Sequence, residues 1–254
     1  MRDCLKLTLL PSPVLALVEE RGGEYVKKFG VKKGLKVGDD LYLSGRWYDP
    51  WRYSGDVDKK LEAAVWKLLE EYGDCVGISV SPGDEGLIFV VSFLTQNTSY
   101  YVNVLRWTSA LFSKSERLEE IAEEARRVGN SYQLRRLGDA VREYLKAKPR
   151  DRADLLKISW VGPKTADLYL LFTGHIEAAP VDKHFVRYAP RLGLAGKPPD
   201  AKYCRRYTCG TCPLADRCLR AQAESKLGRL AGWVQTVVWL SSNRYANKFL
   251  RQTT

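Results

Sequence analysis

The sequence predicts a mainly α-helical protein with a mixed α/β N-terminal region and a four-cysteine loop near its C-terminal end. Three observations carry this expectation. From Asp84 onward, apolar residues recur at helical spacing in successive segments punctuated by Gly, Asn and Pro. Residues 1–83 instead mix short alternating runs with one amphipathic stretch. Of the 6 cysteines, Cys204, Cys209, Cys212 and Cys218 fall within fifteen residues, spaced C-x4-C-x2-C-x5-C.

Composition narrows the function classes. The chain has 254 residues, of which 45% are hydrophobic and 28% charged, which excludes a disordered chain or a disulfide-stapled miniature. Lys plus Arg number 41 against 30 Asp plus Glu, a net charge of +11 that calls for an anionic partner, nucleic acid or a membrane surface. No apolar run is long enough to span a membrane. Asp3 and Lys6 interrupt the first apolar segment, and Pro11 and Pro13 break it, so no signal peptide is expected. An intracellular chain follows, in which disulfides are a poor default and Cys4 and Cys75 read as isolated thiols.

The alternation from Cys4 to Leu10 predicts a strand, as do Leu41–Leu43 and Ile78–Val80 with their Gly, Asp and Pro borders. Leu61, Val65, Leu68, Leu69 and Tyr72 predict an amphipathic helix over 58–72. The aromatic-rich segment 48–53 reads as a loop packed on the core, or as a stacking surface for nucleic acid. The apolar run 87–94 fits a buried strand or a buried helix equally well. Thr98 or Ser99 caps a helix running to Phe112 with Val102, Leu105 and Leu111 inward, and further helices are expected over 116–128, 132–146 and 151–158. Others are expected after Gly162-Pro163, near Asp182, and over 225–240 and 243–251.

The stretch 155–170, LLKISWVGPKTADLYL, places a tight turn at Val161-Gly162 between two helices, with Lys164 in the first turn of the second. Such a turn offers backbone N–H groups and a positive helix end to a phosphate. Eighteen positions after Lys164 comes Asp182, in the run Val181-Asp182-Lys183-His184. Four close cysteines hold either zinc or an iron–sulfur cluster.

Taken together, Ile158 to Ala166 and Val181 to His184 resemble the paired motifs of the helix-hairpin-helix DNA glycosylase superfamily, closest to its endonuclease III and 8-oxoguanine glycosylase branches. The likeness covers roughly residues 84–190. It implies a helix-hairpin-helix glycosylase fold divided into a mixed domain (1–83), a helical domain (84–190) and a cysteine loop with closing helices (191–254). The implied activity is a bifunctional DNA glycosylase and abasic-site lyase of base excision repair, acting as a monomer on duplex DNA that carries a damaged base, with an oxidised base expected. Lys164 would be the nucleophile and Asp182 its electrostatic and proton-transfer partner. Val161 and Gly162 would contact DNA, with His184 near the phosphate or the aspartate. The endonuclease III branch has a wedge glutamine where Gln96 stands, and the other branch an asparagine, as at Asn97. Cys209 through Cys218 resembles the family's [4Fe-4S] loop, which makes Cys204, Cys209, Cys212 and Cys218 the expected ligands, with zinc as the alternative. Arg205, Arg206, Arg217 and Arg220 would then face phosphates or solvent. The sequence departs from the family pattern at Ser159 and Trp160, where proline and glycine are usual; the indole is expected along DNA or plugged into the core. A monofunctional or mismatch-directed glycosylase, a non-catalytic hairpin DNA-binding protein and a zinc-stabilised RNA-binding protein are the alternatives.

Overall fold

The computed structural model describes residues 3–243. Three predicted strands are absent from it. Cys4–Leu9 is helix α1, because the Asp3 carboxylate accepts from Lys6 N at 3.0 Å and caps it. Segments 41–43 and 78–80 are a turn and an irregular run without ladder pairing. Side chains clasp the latter: Ser12 Oγ donates to Ser79 O (3.0 Å), Trp47 Nε1 to Ile78 O (2.6 Å) and Ser79 Oγ to Leu43 O (2.6 Å). Among the described residues the sheet is a hairpin, β1 (Val18–Arg21) against antiparallel β2 (Glu24–Lys27). Gly22 and Gly23 turn it with φ of +58° and +83°, the left-handed pair that a two-residue hairpin requires.

Cys4 and Cys75 are not isolated. They form a disulfide across 71 positions, with α1 and the 75–80 segment lying side by side and the Cα atoms 4.8 Å apart. Helix α2 (Glu62–Tyr72) keeps the expected inward face. The 50–56 segment is a 3-10 turn packed on the core, with Tyr48 buried and its hydroxyl donating to Arg229 O at 2.9 Å.

The apolar run 87–94 resolves as helix α3 (Glu85–Leu94), buried from Leu87 to Leu94. A wide π turn, Tyr100–Val104, precedes α4 (Leu105–Phe112) and rotates Val102 outward to 52% exposure, against expectation. Helices α5 (Leu118–Val128) and α6 (Tyr132–Ala147) pair, and α3 packs on α6 and on the hairpin helix α8 (Pro163–Phe172). The hairpin's first arm is α7 (Arg152–Lys157), and α9 (Lys183–Tyr188) follows the hairpin. A short α10 (Ala201–Cys204) opens the cysteine loop. The helix expected over 225–240 is two, α11 (Leu219–Leu227) and α12 (Ala231–Ser242), broken where Gly228 takes φ +52°. Gly232 lets α12 approach the hairpin helix: a Cβ there would sit 2.3 Å from Leu171 Cδ1 and 2.6 Å from Ile176 O. Of the helix expected over 243–251, residues 244–251 lie outside the described residues. No helix among the described residues is long and apolar enough to cross a membrane.

Candidate active site and cysteine loop

The fold brings residues far apart in sequence to one cleft of about 1060 Å3, lined by Gln96, Asn97, Gly162, Lys164, Asp182 and His184 among others. Val161 is fully buried beneath the hairpin and does not line it. Pro163 opens α8, where its missing N–H costs nothing, so Lys164 stands in the first turn at the positive helix end. The Lys164 Nζ is 3.3 Å from Thr95 Oγ1 at the end of α3, a partner that no motif signalled. Burial pushes the Lys164 pKa below the ordinary lysine value; Asp182 opposes that shift and Lys183 adds to it. Asp182 caps α9, its Oδ1 accepting from the backbone N–H of His184 and of Phe185 at 2.9 Å each. That bonding fixes the carboxylate at the cleft, so the cap and the functional candidate are one residue.

His184 Nδ1 lies 2.8 Å from Ser242 Oγ, and that hydroxyl donates to Val238 O at 2.8 Å. Burial, with the nearby Lys183, Arg187 and Lys164, lowers the imidazole's pKa despite Asp182. Gln96 is tied down where it lines the cleft: Tyr132 hydroxyl donates to its Oε1 at 2.7 Å, and Gln133 Nε2 donates to its carbonyl. Gln96 Nε2 is buried with no partner among the described residues. Asn97, next to it, is exposed with φ +45°.

Trp160 does not plug the core. It keeps the left-handed backbone that a glycine would adopt easily, with φ +67°, at a strain of about 1–2 kcal/mol. Its ring is 47% exposed and carries the Arg136 guanidinium 3.6 Å from its centroid.

The cysteine loop sits against the back of the hairpin. Asp167, fully buried one turn beyond Lys164, accepts from Arg152 Nε (2.7 Å), Arg152 Nη2 (3.1 Å) and Arg220 Nε (3.3 Å). The same arginines reach sulfur: Arg152 Nη2 is 3.7 Å from Cys204 Sγ and Arg220 Nη1 is 2.7 Å from Cys209 Sγ. Arg220 is thus a buried bridge rather than a surface phosphate contact, because Asp167 and Glu224 hold it inside. Arg205 donates from Nε to Leu156 O at 3.1 Å and from Nη2 to Val161 O at 3.5 Å, tying the loop to the hairpin turn. A charged residue in the apolar run of α8 was the one sequence sign of this arrangement.

All four loop cysteines are free thiols and half-buried. Burial pushes the Cys204 and Cys209 thiols up, and the neighbouring guanidiniums pull them back toward thiolate. Soft sulfur donors in this number, beside fixed positive charge, have the chemistry to hold an iron–sulfur cluster or zinc. As the loop lies, no three Cys, His, Asp or Glu among the described residues are gathered into one ligand group.

A hairpin presenting a lysine of depressed pKa, with the helix-capping Asp182 on the same cleft, defines a class by its architecture: mainly helical proteins built around a helix-hairpin-helix with a lysine–aspartate cleft. Comparisons agree with that class. The chain is 29% identical over 151 residues to endonuclease III of Bacillus subtilis, covering 54% of this chain and 67% of that one. It superposes on Clostridium acetobutylicum 8-oxoguanine glycosylase/lyase in its apo form with a TM-score of 0.66, at 14% identity over 92% of this chain and 91% of the other. The same enzyme in complex with double-stranded DNA containing cytosine opposite 8-oxoguanine gives a TM-score of 0.61, at 15% identity over 97% and 91%. No family model matches the chain. The chain is thus similar in sequence to an endonuclease III and in fold to 8-oxoguanine glycosylases.

Proposed function

We propose that the protein is a bifunctional DNA glycosylase and abasic-site lyase that excises an oxidised base from duplex DNA. The observation that carries this reading is Lys164, buried enough to lower its pKa and placed in one cleft with Asp182. A neutral Lys164 amine attacks C1′ of a nucleotide extruded from the duplex, and the C1′–N bond breaks with its electrons leaving on the base. Asp182 stabilises the positive charge that develops on the sugar and receives the lysine proton. The sugar opens to a Schiff base on Nζ, which acidifies the C2′ proton. Loss of that proton then breaks the C3′–O bond and cuts the strand. A glycosylase that used water alone would have no need of a lysine in this position.

The backbone N–H groups at the start of α8 receive a phosphate. Asn97, exposed and left-handed, enters the gap that extrusion leaves, while Gln96 remains tied to Tyr132 and Gln133 unless the duplex draws it out. The division at 83/84 and 190/191 is part of the same proposal. Cys204, Cys209, Cys212 and Cys218 would hold a [4Fe-4S] cluster, which takes no part in the chemistry and fixes the loop behind the hairpin. Purified protein should then be brown, with iron and labile sulfide; colourless protein with stoichiometric zinc would assign the loop to zinc.

The names of the structural neighbours favour 8-oxoguanine as the base. The test is a panel of duplexes carrying 8-oxoguanine opposite each normal base, thymine glycol, uracil or an abasic site. Release of an oxidised base together with strand cleavage is the expected result. Base release from every substrate without cleavage would leave a monofunctional glycosylase.

A further inference from the structure

Trp160 is strained and exposed at once. Its φ of +67° is one that glycine adopts freely, and the indole gains little burial in return, being 47% exposed on the cleft that holds Lys164. Strain that packing does not explain points to binding. The ring is nonetheless held in place. Arg136 lies 3.6 Å from its centroid and 4.9 Å from that of Tyr132, whose hydroxyl bonds Gln96 at 2.7 Å. Trp160, Arg136, Tyr132 and Gln96 thus form one connected row, whose two ends, Trp160 and Gln96, line the cleft. A fixed, flat, part-exposed indole backed by a cation offers a π-face to a planar partner in an anionic polymer, which is the chemistry of a nucleobase.

We propose that Trp160 is a stacking platform for a nucleobase that loses its neighbour when the duplex opens at the lesion. The proposal rests on the DNA-acting reading of the cleft and names which hairpin side chain takes the unstacked base.

The probe is a duplex with a single tetrahydrofuran abasic-site analogue, which binds without being cut. Trp160→Gly should raise its Kd roughly 5- to 100-fold, and Trp160→Phe should keep most of the affinity. The melting midpoint of Trp160→Gly should be unchanged or higher, because glycine relieves the backbone strain. In a second series, one further base is removed at each position within two nucleotides of the analogue, on either strand. At one position the penalty of Trp160→Gly should vanish, since the stacked base is already gone. The proposal is overturned if Trp160→Gly binds like the wild type, if the penalty persists at every position, or if affinity and melting midpoint fall together. Failure of the wild type to bind any duplex would instead overturn the DNA-acting reading itself.

Discussion

Asp167→Asn tests how the hairpin helix is coupled to the cysteine loop. Asp167 is fully buried and is held by Arg152 through two hydrogen bonds, at 2.7 and 3.1 Å, and by Arg220 through one at 3.3 Å. Asparagine keeps one acceptor and loses the charge, so Arg152 is left with Cys204 Sγ at 3.7 Å as its other described partner. Arg220 retains Glu224, which limits the damage. Breaking a buried pair from one side costs about 3–5 kcal/mol, and the retained contact places this case near the lower end, about 3–4 kcal/mol. For a chain of this size that is a fall of about 6–16 °C in melting midpoint. In urea the midpoint should drop with the slope unchanged, since the surface exposed on unfolding is the same. A loss below about 1 kcal/mol would refute the reasoning, because it would mean the two guanidiniums do not depend on this carboxylate.

Lys27 and Asp84 form a second buried pair at 2.7 Å, with Ser81 Oγ on the same carboxylate oxygen at 2.6 Å. Lys27→Met should cost about 3–5 kcal/mol in chemical denaturation, and Lys27→Met with Asp84→Asn much less, because the orphaned charge is gone. The Cys4–Cys75 disulfide closes a loop of 71 positions, so its reduction should cost about 4 kcal/mol, and thiol titration of the unfolded, metal-free chain without reductant should count four thiols rather than six. In the proposed mechanism Lys164 attacks as the neutral amine, and its pKa is lowered, so the rate of Schiff-base formation should rise with pH on a limb below the ordinary lysine value. Asp182 raises that pKa, so Asp182→Asn should move the limb to lower pH while reducing the maximal rate, read in single-turnover pH profiles.

The helical half of the fold was legible because amphipathic periodicity and Gly-Pro punctuation survive whatever the helices pack against. The strands were not, and the reasons differ. The alternation of Cys4–Leu10 also suits a short helix, and the Asp3 cap decides it. Residues 78–80 are held by Ser and Trp side chains rather than by a ladder, which no period reports. The true hairpin was missed: Gly22-Gly23 between polar residues is a turn signal, but the apolar alternation that normally accompanies it is lacking. Lys164 and Asp182 were legible through motif content and separation, and the fold placed both on one cleft. What surrounds them was not. Thr95, the Tyr132–Gln96 bond, the Arg205 link and the Cys4–Cys75 bond all join residues more than thirty positions apart, a distance over which a single sequence carries no pairing information. Trp160 was legible as a departure, but only its backbone angle showed that the hairpin keeps its shape around it.

The most direct test of the central claim is borohydride trapping on a duplex with one abasic site. The wild type should give a covalent protein–DNA adduct that maps to Lys164 by peptide mass and disappears in Lys164→Ala while that variant still binds the duplex. No adduct from the wild type, or an adduct undiminished in Lys164→Ala, would contradict it.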